Sequence, residues 1–375
     1  MLSIRSKITN VNFVLLFLLS FLLIWGLATL SMVSAPFSLQ KYNTAWHYLL
    51  QQIIRLGIGL FLGIVLFFLP LKTLKKMAPA LFFLSIILLL LVFAPGLGLS
   101  EGGAKRWLNL GFFSIQPAEF LKLAFIIYLA AWLSSKEKES KKKSFLKTFL
   151  PLWIIFAVLI LILIAQPDFS TLAIIFVTGL IMYLASGKPL WQIICSLSAG
   201  AGGAFLLIKT APYRTARLFT FLNPDIDPLG LGYQLRQSLI ALGSGRIWGI
   251  GQGLSFGLSR QKFGFLPQPM TDSIFAIVGE ELGFVGALTL VISFLGLAGL
   301  LLALALKQKN SFNKLIIVGI GFWLVFQAFF NIAGIIGIMP LGGVPLPFFS
   351  YGGSHLLVEL AACGLLLNVT RKEAS

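Results

Sequence analysis

Long apolar runs recur along the whole chain, and they constrain its fold more than any other feature. A run of about 20 apolar residues can cross the roughly 30 Å hydrocarbon core of a bilayer as a helix. Ten runs are predicted to span a membrane, at about 13–34, 47–69, 77–95, 115–134, 147–166, 168–186, 189–208, 272–305, 313–338 and 352–370. Only 11% of the residues are charged, which excludes an ordinary soluble domain. We therefore predict an all-α polytopic membrane protein with about ten transmembrane helices, in which residues 1–375 form a single domain.

The lysines and arginines indicate how the predicted spans are oriented. Cytoplasmic segments of membrane proteins are enriched in these residues, and the loop at 136–147 alone holds six lysines. With this loop inside, both chain termini are cytoplasmic because the number of predicted spans is even. The same orientation puts a large extracellular loop, at about 209–271, between the seventh and eighth spans.

Two of the predicted outer segments are basic, against the usual charge rule. The loop after the third span carries Lys105 and Arg106, and the 209–271 loop carries seven basic residues against Asp225 and Asp227. One reading is a solvated loop that contacts lipid headgroups, since long loops translocate largely regardless of charge. The favoured reading is a surface that binds an anionic ligand such as a diphosphate. Within the long loop, residues 232–247 have the spacing of an amphipathic helix.

Asp272 is the strongest candidate for chemistry. It follows a Pro-Gln-Pro turn and stands where the basic loop enters a long apolar run. It could simply cap the following helix, because helix starts favour Asp. It could also take a proton from a sugar hydroxyl, or hold a divalent cation against a diphosphate. Glu280 and Glu281, two turns further on, are assigned a structural role as partners of basic side chains.

Other polar residues lie at the ends of predicted spans. Glu119 and Lys122, at positions i and i+3 of one helix, either pair with each other or line a polar cavity. Asp168 is expected to be an exposed turn residue. The Pro- and Gly-rich segment 340–354 is predicted to be irregular and to re-enter or cover a groove. Cys195 and Cys363 have no metal-binding spacing, which argues against a disulfide framework or a zinc site.

Five stretches of the chain resemble one known family. They are GAKRWLNLGFFSIQPAEFLKL, QPDFSTLAI, FLNPDIDPLGLGYQLRQSLIALGSG, SRQKFGFLPQPMTDSIFAIVGEELGFVG and GIMPLGGVPLPFFSYGGS. In this order on ten spans they resemble the SEDS proteins (shape, elongation, division and sporulation), which include FtsW and RodA. The SRQK and DPLGLGYQ stretches look more like FtsW.

The resemblance implies a peptidoglycan glycosyltransferase in the bacterial cytoplasmic membrane. Such an enzyme polymerises lipid II outside that membrane into β-1,4 glycan strands, here for septal wall synthesis in cell division. Its partners would be lipid II, the undecaprenyl-linked glycan, a class B penicillin-binding transpeptidase and other division proteins, with no nucleic acid. The alternatives are a lipid II transporter, a polymerase for elongation of the RodA type, and a non-catalytic scaffold.

The resemblance also assigns residues. The family's essential acid maps onto Asp272, its Glu–Lys pair onto Glu119 and Lys122, and its basic pair onto Lys105 and Arg106. Both pairs are expected to bind substrate, as are Arg246, Arg260 and Lys262. The resemblance leaves open whether Asp272 acts as a base or as a ligand of Mg²⁺ or Mn²⁺. The candidates for balancing the diphosphate charge are Lys105, Arg106, Arg246, Arg260 and Lys262. Four positions depart from the family pattern, namely Arg246, Gln268 (usually Glu), Ser273 (usually Phe) and His355 (usually Ser).

Overall fold

The structure, a computed structural model, describes residues 12–101, 104–109, 111, 114–136, 148–210, 212–227, 229–251 and 264–371. Within these ranges the chain is mostly helical. The helices are α1 (Phe13–Tyr42), α2 (His47–Phe68), α3 (Leu71–Leu91), α4 (Pro117–Ser135), α5 (Leu150–Ala165), α6 (Phe169–Ala185), α7 (Leu190–Thr210), α8 (Pro212–Leu222), α9 (Leu231–Ser244), α10 (Ile274–Lys307), α11 (Ser311–Ile335) and α12 (Gly353–Thr370). A short 3₁₀ turn at Pro224–Ile226 separates α8 from α9.

Eight helices of the described chain are long and apolar enough to cross a membrane. They are α1, α2, α3, α4, α7, α10, α11 and α12. Two more, α5 and α6, are apolar but have only 16 and 17 residues. The prediction of an all-α, many-span membrane protein is confirmed, while the count of ten crossings stays a prediction. The amphipathic segment predicted at 232–247 is α9.

The helices differ sharply in how much of their surface is covered by protein. In the most apolar stretch of α12, 83% of the residues are buried, and in α11 67%, against 17% in α2. α4, α11 and α12 therefore form the centre of the bundle, and α1, α2 and α3 expose apolar faces such as Phe17, Phe61 and Phe83. Polar side chains in a membrane need protein partners, and the central helices carry them.

Helices α2 and α12 approach each other at backbone distance. A Cβ atom added to Gly364 would overlap the carbonyl oxygen of Gly63, and one added to Gly59 would meet the Leu360 side chain. Small residues allow this approach in membrane bundles, where close packing rather than water exclusion drives association.

Helix α10 is broken at Gly283. This residue has φ 67° and ψ −165°, which lie outside the helical region and suit only glycine. The loop after α9 bonds to the break, where Phe284 N donates to Arg246 O (2.8 Å) and Val285 N to Ile247 O (3.1 Å). The span predicted at 272–305 therefore corresponds to a helix that is broken at Gly283, because these backbone groups bond to the loop instead of continuing the helix.

The two arms of α10 run in different directions. As a straight helix its 34 residues would extend about 51 Å, against about 27 Å for the 18 residues of α12. Yet the two helices are tied at both ends, by Tyr351 N to Met270 O (2.7 Å) and by Gln308 Nε2 to Val369 O (3.3 Å). The first arm, before Gly283, must therefore turn strongly aside from the second.

Two non-helical elements lie at the same end of the bundle as Asp272. A small antiparallel sheet, with strands β1 (Gly98–Glu101), β2 (Ala104–Asn109) and β3 (Ser114–Ile115), joins α3 to α4. Residues 340–352 between α11 and α12 are irregular, as predicted, and Leu346, Phe348 and Phe349 in this segment are buried.

Candidate active site

Asp272 ends a tight turn that precedes α10. The backbone carbonyl of Gln268, at φ 52°, accepts hydrogen bonds from Thr271 N and Ser273 N, both at 3.2 Å. The Thr271 hydroxyl donates to the Gln268 side chain at 3.0 Å. We call residues 264–273 the Asp272 turn, and its internal bonds fix the point from which the carboxylate projects.

The irregular segment 340–352 holds the Asp272 turn from the other side. Tyr351 N donates to Met270 O at 2.7 Å, and the Ser350 hydroxyl donates to Thr271 O at 2.5 Å. Gly343, at φ 64°, faces the carboxylate itself, since a Cβ atom there would lie 3.4 Å from Asp272 Oδ2. The two irregular segments thus form one surface around Asp272.

The carboxyl group of Asp272 is partly buried, and this changes its acidity. Burial raises its pKa to about 6, from an ordinary value near 3.8, because a low-dielectric surrounding disfavours the charged form. The hydrogen bond with Thr271 and the positive charges of Arg217 and Arg106 lower the pKa and oppose part of this rise. Asp272 is therefore a stronger base than an exposed aspartate and remains mostly ionised at neutral pH.

Arg106 connects the sheet to the turn between α5 and α6. Its guanidinium donates to Gln166 O at 3.2 Å and to Pro167 O. Asp168, in the same turn, was predicted to be exposed, and this is wrong. Only 4% of Asp168 is exposed, and its carboxylate accepts from Thr171 N (3.3 Å) as the N-cap of α6.

The other predicted basic residues are differently placed. Lys105 is exposed while its neighbour Arg106 is half-buried, as expected for adjacent strand residues that project to opposite faces. Arg246 is exposed beside the Gly283 break, and the first arm of α10, about 14 Å long, separates that break from the Asp272 turn. Arg260 and Lys262 lie outside the described residues.

Glu119 and Lys122 form a buried ion pair at 2.8 Å, with side chains 4% and 2% exposed. Lys122 also donates to Gln327 Oε1 at 2.8 Å and lies 5.1 Å from the centre of the Trp323 ring. Gln327 in turn donates to Pro345 O at 3.0 Å. The pair is thus connected to the Asp272 turn through segment 340–352 rather than by direct contact.

Sequence reasoning missed two residues of this site. Asn331 in α11 donates from Nδ2 to Asp272 O and to Val344 O, both at 2.7 Å. Arg217 in α8 supplies positive charge to Asp272. Only its place in the basic loop could have drawn attention to Arg217, and the pattern of an apolar helix gave no signal for Asn331.

The described side chains suit a divalent cation only if the substrate supplies further ligands. In the described ranges, no three His, Cys, Asp or Glu side chains come together as a metal cluster. Mg²⁺ keeps several waters and takes one or two carboxylates together with substrate phosphates. Asp272 offers one carboxylate beside the open face of Gly343, which suits a cation that a diphosphate substrate helps to hold.

Comparison with known proteins identifies the family. The sequence model of the FtsW/RodA/SpoVE family, described as a cell cycle protein family, matches residues 13–375. The chain belongs to this family. It is similar to stage V sporulation protein E of Bacillus subtilis, with 37% identity over 98% of both chains. It is also similar to the probable peptidoglycan glycosyltransferase FtsW of Coxiella burnetii, with 37% identity over 93% of both.

Solved structures of FtsW/RodA/SpoVE proteins share the fold. A chain of a peptidoglycan synthase complex superposes with a TM-score of 0.77 and 28% identity, over 96% of this chain and 97% of that one. RodA of Thermus thermophilus gives a TM-score of 0.69 and 25% identity, over 96% of both chains. Membership of the family and the helical fold together make this protein a multi-pass membrane protein.

Three of the four positions at which this FtsW/RodA/SpoVE protein departs from the expected pattern have side-chain partners in the structure. Gln268 bonds to Thr271 within the Asp272 turn. Ser273, fully buried, accepts from Gln234 Nε2 of α9 at 3.0 Å. His355 Nε2 lies 3.0 Å from Ser350 O. These three departures therefore contribute hydrogen bonds around the site and leave Asp272 in place.

Proposed function

We propose that the protein is a peptidoglycan glycosyltransferase that polymerises lipid II. The observation that carries this proposal is the Asp272 carboxylate, whose pKa is raised to about 6 beside the positive charges of Arg217 and Arg106. A base and cations at one point suit a reaction in which a hydroxyl attacks and a diphosphate leaves. Relatives named probable peptidoglycan glycosyltransferase FtsW support the same activity.

In the proposed reaction, Asp272 takes the proton from the 4-hydroxyl of the acceptor GlcNAc. The freed oxygen attacks the anomeric carbon of the donor MurNAc, the bond from that carbon to the diphosphate breaks, and undecaprenyl diphosphate leaves with the electron pair. A single displacement inverts the centre, so an α-linked diphosphate becomes a β-1,4 bond. A base with a pKa near the working pH is both ionised and strong enough to accept the proton.

Basic side chains are proposed to balance the charge that develops on the diphosphate. Arg106 and Arg217 are favoured, because both act electrostatically on Asp272. Their positive charge would stabilise the leaving group more than the neutral hydroxyl of the acceptor, and this difference lowers the barrier. Lys105, Arg246, Arg260 and Lys262 remain further candidates from the sequence, and Glu119 and Lys122 are proposed to support the substrate groove.

A divalent cation, Mg²⁺ or Mn²⁺, is proposed to bind with the substrate. Asp272 would hold it, and it would supply further neutralisation of the diphosphate charge. In that case Asp272 orients the substrate as a ligand, and its role as base is tested by the pH dependence of the rate with and without added cation.

We propose that the enzyme acts at the outer face of the bacterial cytoplasmic membrane, with both termini in the cytoplasm. The similarity to a peptidoglycan synthase complex supports a class B penicillin-binding transpeptidase as the partner. The proposed role is septal wall synthesis in division, supported by relatives named FtsW.

The test is lipid II polymerisation by the purified protein, alone and with a class B transpeptidase. Wild type is expected to make glycan chains, and folded Asp272→Ala is expected to make none. Glycan chains from both proteins would show that the reaction does not require Asp272. Chains from neither, with the partner present, would favour transport or scaffolding instead.

A further inference from the structure

We propose that Asn331 is a positioning residue for Asp272, an inference that rests on the proposed function. Asn331 lies near the end of α11, one of the central helices, and only 6% of it is exposed. Its Nδ2 group donates to the backbone carbonyl of Asp272 and to that of Val344, both at 2.7 Å. The two protons of one amide thus join both irregular segments of the site to a rigid helix.

The bond to Asp272 acts on the carboxylate through the backbone. The Ser350 hydroxyl holds the carbonyl of Thr271, and Asn331 holds the carbonyl of Asp272. The peptide groups before and after the Asp272 Cα atom are therefore both fixed, which fixes the direction in which its side chain leaves the chain. Because a misplacement of about 1 Å can reduce a rate about 100-fold, loss of this support is expected to reduce turnover.

The two hydrogen bonds of Asn331 require the N–H donors of an amide. Both partners of Nδ2 are carbonyl oxygens, so an aspartate at position 331 would place an oxygen, which cannot donate when ionised, against two acceptors. Asn331→Asp has nearly the same shape as the natural residue but lacks its donors. This variant therefore separates the hydrogen bonds from the packing volume of the side chain.

The chain contains a matched control in Asn368 of α12. Only 3% of Asn368 is exposed, and its Nδ2 group also donates to two backbone carbonyls, those of Leu66 and Leu69, both at 2.8 Å. These bonds lie at the opposite end of the bundle from Asp272. Substitution of Asn368 removes the same kind and number of bonds as substitution of Asn331 without touching the site.

The experiment compares Asn331→Ala and Asn331→Asp with Asn368→Ala and Asn368→Asp in lipid II polymerisation. The alanine variants are expected to lose similar amounts of thermal stability. Both Asn331 variants are expected to lower kcat at least about tenfold with little change in KM, while the Asn368 variants stay within about twofold of wild type. An Asn331 kcat within about twofold of wild type, or an equal loss in both pairs, would overturn the proposal.

A second readout keeps the proposal testable if the proposed function fails. Hydrogen exchange of the backbone amides in residues 268–273 is expected to be faster in both Asn331 variants and unchanged in both Asn368 variants. Wild type that makes no glycan would refute the polymerase while leaving this comparison intact. Unchanged exchange in the Asn331 variants would refute the positioning role itself.

Discussion

Replacing Asp272 with Asn is expected to stabilise the protein while removing its activity. Asn has nearly the same size as Asp but carries no charge, so it avoids the cost of burying a carboxylate. The pKa of Asp272 is raised to about 6 from about 3.8, and each unit corresponds to about 1.4 kcal/mol. The ionised carboxylate therefore costs at most about 3 kcal/mol of the free energy of unfolding.

The size of the effect depends on pH, while its sign does not. Below about pH 4 the carboxyl is protonated in both the folded and the unfolded chain, so wild type and Asp272→Asn should differ little. As pH rises from about 4 to about 6, the unfolded chain loses its proton first, and wild type loses stability relative to the variant. The full difference is present above about pH 6.

The assay is thermal unfolding in one detergent over a range of pH. Between about pH 4.5 and about pH 8, the advantage of Asp272→Asn should grow by about 2 kcal/mol, seen as an increasing gap in Tm. Asp225→Asn is the control, since the Asp225 side chain is 68% exposed and pairs with Arg236 at the surface. A surface pair contributes at most about 1 kcal/mol. A Tm gap for Asp272→Asn that is constant with pH would refute the reasoning.

Three further predictions follow from other contacts. The polymerisation rate of wild type should rise as pH rises through about 6, the pKa of Asp272, and then level off, because the base must be ionised; a flat profile would argue against a base. Lys122→Ala leaves Glu119 buried without its 2.8 Å partner, and this should lower the free energy of unfolding by about 3–5 kcal/mol. The double variant Glu119→Gln with Lys122→Met should recover most of that loss in thermal unfolding; equal losses in the two proteins would contradict this. Gly283→Ala, at φ 67°, should lower the free energy of unfolding by more than about 1 kcal/mol. Gly296→Ala, whose added Cβ atom meets no neighbour, is expected to leave it unchanged; similar unfolding temperatures for the two variants would contradict this prediction.

Features set by local sequence could be predicted. Hydropathy located the long helices, since burial in lipid requires a continuous apolar run of fixed length. The density of Pro and Gly predicted an irregular segment at 340–354, since Pro removes a helix hydrogen bond, and residues 340–352 are irregular. The charge change at Asp272 marked the end of the basic loop, so this residue was found before its surroundings were known.

Features that depend on long-range contact could not be predicted. The bond between Asn331 and Asp272 joins residues 59 positions apart, and nothing in an apolar helix shows which polar side chain will meet which carbonyl. The break at Gly283 is hidden for the same reason, because its hydrogen bonds come from residues 246 and 247 of the preceding loop. Asp168 looked like an exposed turn residue, since its burial arises from the packing of other segments over it.

The close contact between α2 and α12 bears on how the protein matures during synthesis. Gly63 in α2 packs against Gly364 in α12, and the segment that holds the Asp272 turn directly precedes α12. The ribosome makes α12 after α1 to α11, so these helices enter the membrane before α12 can pack against α2 and before Glu119 and Lys122 are fully enclosed. Chains that stop before α12 should therefore be recognised by membrane quality control, and no shortened product should retain a working centre.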